Sequence, residues 1–308
     1  MFSPFLMRHL SIYYMLIACF YFALVGAASK ILSEQINSVE IVFFRNLIGL
    51  IIVLFALKKL HHFGVGGRFG LLVFRGISGA LGLLCFFYNI ANIDLGTAFT
   101  FQKTAPIFIC IFSAILLKEK LSQLSWIAIF LGFAGILFIM RPSTNGLDIN
   151  HIIGLFGGIF AGMAMTSVHE LRKFYSTTQI VLSFMFCGVA VMGALLVVGS
   201  FGLMQFGDFS YKNPNAFGWV LVAVVGFCGY YYQIYMTKAY SASKKAGIPA
   251  AISYFDIAFG VLFGVLLGDS LPNAFVMLGI VIIIISGLLI AKQKSVSYTH
   301  LRAHETRE

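Results

Sequence analysis

Ten apolar runs, each near the length that carries an α-helix across a bilayer, occupy almost the whole chain. They are residues 10–30, 38–57, 70–91, 96–117, 122–140, 151–171, 178–201, 216–238, 246–267 and 273–291. A spanning helix needs about 20 apolar residues. Lipid admits only helices or closed barrels, because every backbone polar group must be satisfied without water. The runs are continuous and do not alternate, which excludes a barrel. Hydrophobic residues make up 60% of the 308 residues and charged residues 10%, more apolar surface than a soluble fold of that length can hide. The expected fold class is all-α: a polytopic membrane protein with ten transmembrane helices. Disordered, collagenous and disulfide-rich secreted chains are excluded, and a cleavable signal peptide is not expected at the first run.

The formal charge is +10. On a soluble protein that would suggest nucleic acid, but here the basic residues sit in short gaps between apolar runs and act as topology signals toward an anionic leaflet. No nucleic-acid partner is expected. One set of alternate loops holds 13 Lys and Arg, from Arg8 through Lys58, Lys59 and Arg68 to Lys292 and Lys294; the other holds 3, Lys30, Arg141 and Lys212. The positive-inside rule then puts both termini in the cytoplasm, which requires an even number of spans. Residues 295–308 lose the apolar pattern and read as a disordered tail resembling translated vector sequence. Cys19, Cys85, Cys110, Cys187 and Cys228 all lie inside apolar runs without a CxxC, and read as small buried hydrophobes with neither a disulfide framework nor a zinc site.

The chain compares with itself at an offset of about 140–150 residues: residues 115–121 align with 265–271, pairing Glu119 with Asp269, and residues 40–42 align with 179–181. Five spans per copy is an odd number, so the two copies start on opposite sides of the membrane. The expected organisation is an inverted repeat, a transporter architecture, with spans 1–5 in residues 10–141 and spans 6–10 in residues 151–291.

These residues resemble the drug/metabolite transporter superfamily, in particular an EamA-type member with two EamA repeats. In the first half the resemblance rests on Phe43-Phe44-Arg45-Asn46, Arg75-Gly76-Ile77-Ser78-Gly79, Cys85-Phe86-Phe87-Tyr88, Ala105-Pro106-Ile107-Phe108 and Leu116-Leu117-Lys118-Glu119. In the second half it rests on Ser253-Tyr254-Phe255-Asp256-Ile257 and Leu266-Leu267-Gly268-Asp269. The pattern around Arg45, Arg75 and Pro106 is most similar to the branch with S-adenosylmethionine and riboflavin carriers. The chain departs from the family pattern at Lys118, where glycine is frequent, and at Asp269, where glutamate is frequent. The resemblance implies a ten-span alternating-access carrier with its solute held between two halves.

Four charged residues lie inside the runs: Arg45, Arg75, Lys103 and Asp256. An intramembrane charge costs about 2.5–3.5 kcal/mol on insertion scales and so needs a partner or a water-filled cavity. Lys103 lies about 10 Å into span 4 at the helical rise, and Asp256 near the midplane of span 9. They occupy equivalent spans, so they are expected to pair across a central cavity, Lys103 toward an anionic group of the solute. A fixed ion pair that only specifies packing is the structural alternative. Arg45 is expected to reach Glu40 or a neighbouring helix. Arg75 is expected to snorkel toward headgroups.

Pro106 frees a carbonyl about one turn earlier, near Gln102, so residues 100–106 are the best substrate-site segment. Pro249 reads as a first-turn proline. Tyr88, Asn89, Tyr232, Gln233 and Tyr254 complete the expected substrate-binding set, since aromatic walls with hydroxyl handles suit a planar or amino-acid-like solute. Two small-residue stripes, Gly154/Gly158/Gly162 and Gly260/Gly264/Gly268, predict close helix approach.

The expected function is a secondary transporter in a bacterial-type inner (plasma) membrane. It moves a small polar metabolite, anionic or zwitterionic and amino-acid- or nucleoside-like, with the lipid bilayer and a second copy as the other candidate partners. No cofactor, metal or enzymatic activity is expected, and no HExxH, GxSxG or P-loop occurs. The alternatives are an integral-membrane enzyme, whose nearest candidates are His61, His62, His169 and Glu170, and a channel.

Overall fold

The computed structural model describes residues 4–57, 66–116, 123–140, 148–171, 173–201, 211–242 and 252–305, and no strand occurs among them. The described residues form eleven helices: α1 (Pro4–Leu32), α2 (Ser38–Leu57), α3 (Phe69–Asn92), α4 (Leu95–Gln102), α5 (Ala105–Leu116), α6 (Gln123–Met140), α7 (Ile149–Leu171), α8 (Thr177–Ser200), α9 (Ala216–Ala242), α10 (Phe255–Leu266) and α11 (Ala274–Glu305). Six carry segments long and apolar enough to cross a membrane, those in α1, α2, α3, α7, α8 and α9. Shorter apolar helices follow in α6, α10 and the first half of α11. Phe55, Phe130, Phe186 and Leu266 are among many large apolar side chains left exposed on the outside of the bundle. In water that surface would be a liability; in lipid it is what the solvent requires.

Local chemistry sets the helix ends. Asn37 caps α2: its Oδ1 accepts from the Glu40 N–H, and Glu40 Oε2 accepts from the Asn37 N–H, each at 3.0 Å. At α8 the same reciprocal box is built by Ser176 and Gln179. The two boxes lie 139 residues apart in the chain. α10 ends in a Schellman motif. Gly268 takes a φ of +98°, and the Asp269 N–H donates back to the Gly264 carbonyl at 2.8 Å. Gly268 is thus a terminator and not the third member of a packing stripe. α11 continues through Glu305, into the segment expected to be disordered. Residues 291–305 contain neither Gly nor Pro to stop it.

The helices pair across the two halves of the chain: α1 with α9, α3 with α7, α6 with α11, α2 with α8, and α4 with α10. The close contacts come in reciprocal sets. Asn46 fills the space over Gly188, and Met185 fills the space over Gly49. Ile48 presses on Gly226 while Cys187 presses on Gly76. Ile283 covers Gly135 while Ile139 covers Gly279. As the first residue number rises by three from 46 to 49, its partner falls from 188 to 185, so α2 and α8 cross antiparallel.

Gly226→Leu is expected to overpack the α2–α9 contact, because a Cβ there already falls within 2.7 Å of the Ile48 Cβ. The cost should be about 1–3 kcal/mol. Thermal denaturation in detergent should show a lowered midpoint, partly recovered by adding Ile48→Ala.

Candidate functional site

Two helix breaks face each other in the interior. α4 stops at Gln102, Lys103 and Thr104 form a turn, and α5 starts at Ala105. Pro106 supplies no N–H to the Gln102 carbonyl, so the helix cannot run through. The chain crosses the gap on tight i→i+3 bonds, Thr104 N–H to Phe101 O at 3.1 Å and Ile107 N–H to Thr104 O at 2.9 Å. The Thr104 hydroxyl adds a donor to the Phe101 carbonyl at 2.6 Å. A second turn, Ser253–Tyr254, precedes α10. There the Ile257 N–H donates to Tyr254 O at 3.0 Å, matching the Ile107–Thr104 bond at an offset of 150 residues. Each break leans on a small residue of another helix. Gly158 of α7 lies against Thr104 and Phe101. The Cys19 thiol of α1 donates to the Ile252 carbonyl at 3.6 Å.

Lys103 Nζ lies 2.5 Å from Asp256 Oδ2, with the side chains 11% and 0% exposed. Each charge sits at the helix end that favours it: Lys103 at the C-terminus of α4, Asp256 in the first turn of α10. The Cys19 thiol lies beside the pair. Tyr232 of α9 lies within interaction range of both Lys103 and Arg45. Its ring stacks on Phe22 at 4.4 Å, and Phe22 in turn meets Phe86 and Phe99. Gln102 and Gln233 adjoin these positions in sequence and are half-buried.

Arg45 is 3% exposed and Arg75 6%. Their guanidinium carbons sit 5.5 and 4.6 Å from the centre of the same Phe184 ring. Arg45 Nη1 donates to Asn46 Oδ1 at 3.0 Å. Glu40 is engaged elsewhere, in the α2 cap and with the Lys212 N–H at 2.8 Å. Arg75 does not snorkel. Its position on α3 turns inward onto α8, where Nε and Nη1 are buried without a hydrogen-bond partner among the described residues. Asn89 belongs to the joint between α3 and α7: with its amide oriented to satisfy both, it donates to Asn150 O at 3.0 Å and accepts from the Gly154 N–H at 3.3 Å. Tyr88 lies on the same stretch of α3, its carbonyl taken by the Asn92 amide at 2.7 Å. Tyr254 points its ring into the space left by Gly287 of α11.

At the end of the bundle where α4 begins, Asp269 joins three segments. Its Oδ1 pairs with Lys30 of α1, and its Oδ2 accepts from the Leu95 N–H at 2.8 Å, capping α4. Lys30 also donates to the Ile93 carbonyl at 3.3 Å. Next to this cluster lies a cavity of about 500 Å³, with Asn92, Asp94, Thr97, Asp148, His151 and Asn273 in its wall. Partial burial, and then the neighbouring Asp269 charge, raise the Asp94 carboxyl above its ordinary value, and Lys30 opposes them. Glu170 is held by Arg68 at 3.2 Å and Lys173 at 2.8 Å. His61, His62, Glu119 and Pro249 lie outside the described residues, as does the side chain of His169. Among the described residues no group of three His, Cys, Asp or Glu could hold a metal ion.

The model of the EamA-like transporter family matches residues 9–141. An uncharacterized transporter of Helicobacter pylori is 35% identical over 281 residues, covering 90% of this chain and 92% of the relative. The chain belongs to the EamA-like transporter family. It is therefore a polytopic membrane protein of the drug/metabolite transporter superfamily, as the resemblance implied. This EamA-like chain is also 29% identical to the pseudopaline exporter CntI of Pseudomonas aeruginosa, over 90% of this chain and 94% of that one. It is 24% identical to an S-adenosylmethionine uptake transporter of Rickettsia prowazekii, over 88% and 90%. A crystal structure 17% identical to it, covering 92% of this chain and 98% of that one, superposes with a TM-score of 0.54, which shows a shared fold alone.

Two features of this EamA-like site escaped the sequence reading. Cys19 carries no signal as a neighbour of the pair, since a cysteine in an apolar run reads as filler. The second break has no proline at its turn, and only its 150-residue offset from the first could have located it. Lys103→Met or Asp256→Leu alone leaves a buried charge unpaired and is expected to cost about 3–5 kcal/mol, while the double replacement should recover most of it. Thermal denaturation of the three variants checks this. For Asp94, the raised carboxyl means that ionisation opposes folding above the raised value, and the opposition fades as pH falls toward the ordinary 3.8. Asp94→Asn is therefore expected to raise the melting midpoint at pH 7, with a gain that shrinks in acid.

Proposed function

We propose that this protein is a secondary transporter that moves a small polar metabolite by alternating access of two inverted five-span halves. The observation that carries the reading is the buried Lys103–Asp256 pair, made between helix breaks at equivalent places in residues 10–141 and 151–291. Broken helices with charged residues at their ends mark the binding site of many inverted-repeat carriers. The antiparallel reciprocal contacts of α2 with α8 and of α6 with α11, and the paired capping boxes, support the inversion. Ten spans result when α4 and α5 count as one interrupted crossing, and when α6, α10 and the apolar half of α11 also cross. The excess of Lys and Arg in alternate loops supports cytoplasmic termini in a bacterial inner membrane.

In this cycle the solute competes with the ion pair. An anionic group takes Lys103 and a cationic group, or a proton, takes Asp256, so neither charge is left bare in lipid. The aromatic cluster of Phe22, Phe86, Phe99 and Tyr232 supplies the apolar wall. The Asp269–Lys30–Leu95 cluster closes one end of the path. The names of the relatives, an exporter of pseudopaline and an uptake transporter of S-adenosylmethionine, support a small metabolite as cargo.

A thermal-shift screen against amino acids, nucleosides and vitamins identifies the solute, and its flux is then followed in proteoliposomes. Lys103→Ala and Asp256→Asn should insert in the membrane and abolish flux. The charge-free double variant Lys103→Met/Asp256→Leu should recover most of the parent's stability and still carry nothing. Full transport by these variants would remove the proposed site.

A further inference from the structure

Two buried arginines, Arg45 and Arg75, have no carboxylate partner among the described residues, the buried Asp256 being paired to Lys103. The effective penalty for burying an ion is several kcal/mol, whereas a desolvated cation over an aromatic face recovers about 2 kcal/mol. The shared Phe184 ring therefore does not compensate two guanidinium groups. Nor do the polar neighbours: Asn46 accepts one donor of Arg45, while Arg75 Nε and Nη1 have no acceptor. Two arginines from different helices that turn on the same ring, Arg75 with Nε and Nη1 unspent, have the form of an anion site. Tyr232 links this site to the ion pair, since it lies in range of both Arg45 and Lys103.

We propose that Arg45 and Arg75 form an anion subsite and that the transported solute carries a dianionic portion, a pair of carboxylates or a phosphate monoester, which binds there. This rests on the transporter reading and adds the charge of the cargo to it. The Lys103–Asp256 pair then receives the remaining, zwitterionic or polar, part of the same molecule. Only Arg can present a planar fork to carboxylate or phosphate, so Arg45→Lys should bind less well than the parent although the charge is kept.

The test is thermal stabilisation of the purified, delipidated full chain by four probes at equal ionic strength: succinate, inorganic phosphate, acetate and chloride. Succinate or phosphate should raise the melting midpoint of the parent, and acetate and chloride should not; which of the two dianions acts separates a dicarboxylate from a phosphate ligand. Arg45→Gln and Arg75→Gln should weaken that response by roughly ten- to hundredfold in probe concentration. Without probe, Arg75→Gln should melt at or above the parent, because an uncompensated charge has been removed; a purely structural arginine would give a lower midpoint. Asp256→Asn should keep the response to the dianion even though it carries no solute, which separates this subsite from the ion-pair site. The proposal is overturned by a parent that responds to none of the four probes, by equal stabilisation with acetate or chloride, or by a wild-type response in both glutamine variants. Should the glutamine variants fail to fold, an unchanged response in Arg45→Lys overturns it equally.

Discussion

An ammonium and a carboxylate with almost no water around them join the two halves of this chain. Lys103 and Asp256 each sit at the end of a short helix, and each is tolerable in lipid only because the other is there. Much of the interior follows from that constraint. The chain breaks beside both charges, at Thr104, where Pro106 withholds a donor, and at Tyr254. The freed backbone must be satisfied on the spot, which the tight turn bonds and the Thr104 hydroxyl do. The breaks must also be covered closely, and Gly158 and Cys19 have side chains small enough to allow it.

Around the pair, the contacts between helices are written twice. The crossing of α2 and α8 exchanges Asn46 on Gly188 for Met185 on Gly49, and the caps that start these helices repeat Asn37–Glu40 as Ser176–Gln179. Close backbone approach at glycines holds such crossings together in lipid, where burying apolar surface gains nothing. The same reasoning explains why so many large apolar residues face outward without harm.

Much of this was legible in the chain itself. Run lengths located α2, α3, α6, α7 and α8 to within about two residues because bilayer thickness and helical rise leave little freedom, whereas α1 begins earlier, α10 begins later and α11 ends later than its run. Pro106 pointed to freed backbone near Gln102, though not to a full break, and the scarcity of intramembrane charge in equivalent spans singled out Lys103 and Asp256 as partners. What could not be read depended on neighbours distant in sequence. Arg75 lies close enough to a helix end to snorkel, and only the placement of Phe184 on α8 shows that it turns inward. Asn89 looked like a lining residue until Asn150 and Gly154 appeared beside it. Gly268 fitted a four-residue stripe, but its positive φ shows that it ends the helix. The polar stretch 295–308 suggested disorder by composition, yet through Glu305 no Gly or Pro in it blocks a helix.

A machine assembled from two copies of one part has no built-in front or back. On the inverted-repeat reading, every reciprocal contact is as strong with one face open as with the other, and so contributes nothing to the choice between them. Any bias must be encoded where the copies disagree. At offsets of 139 and 150 residues those places include Arg45 against Phe184, Lys103 against Ser253, and Pro106 against Asp256. On that reading the residues that depart from the duplication are also the ones that carry the charge, so the resting side and the proposed choice of cargo would be written in the same few positions.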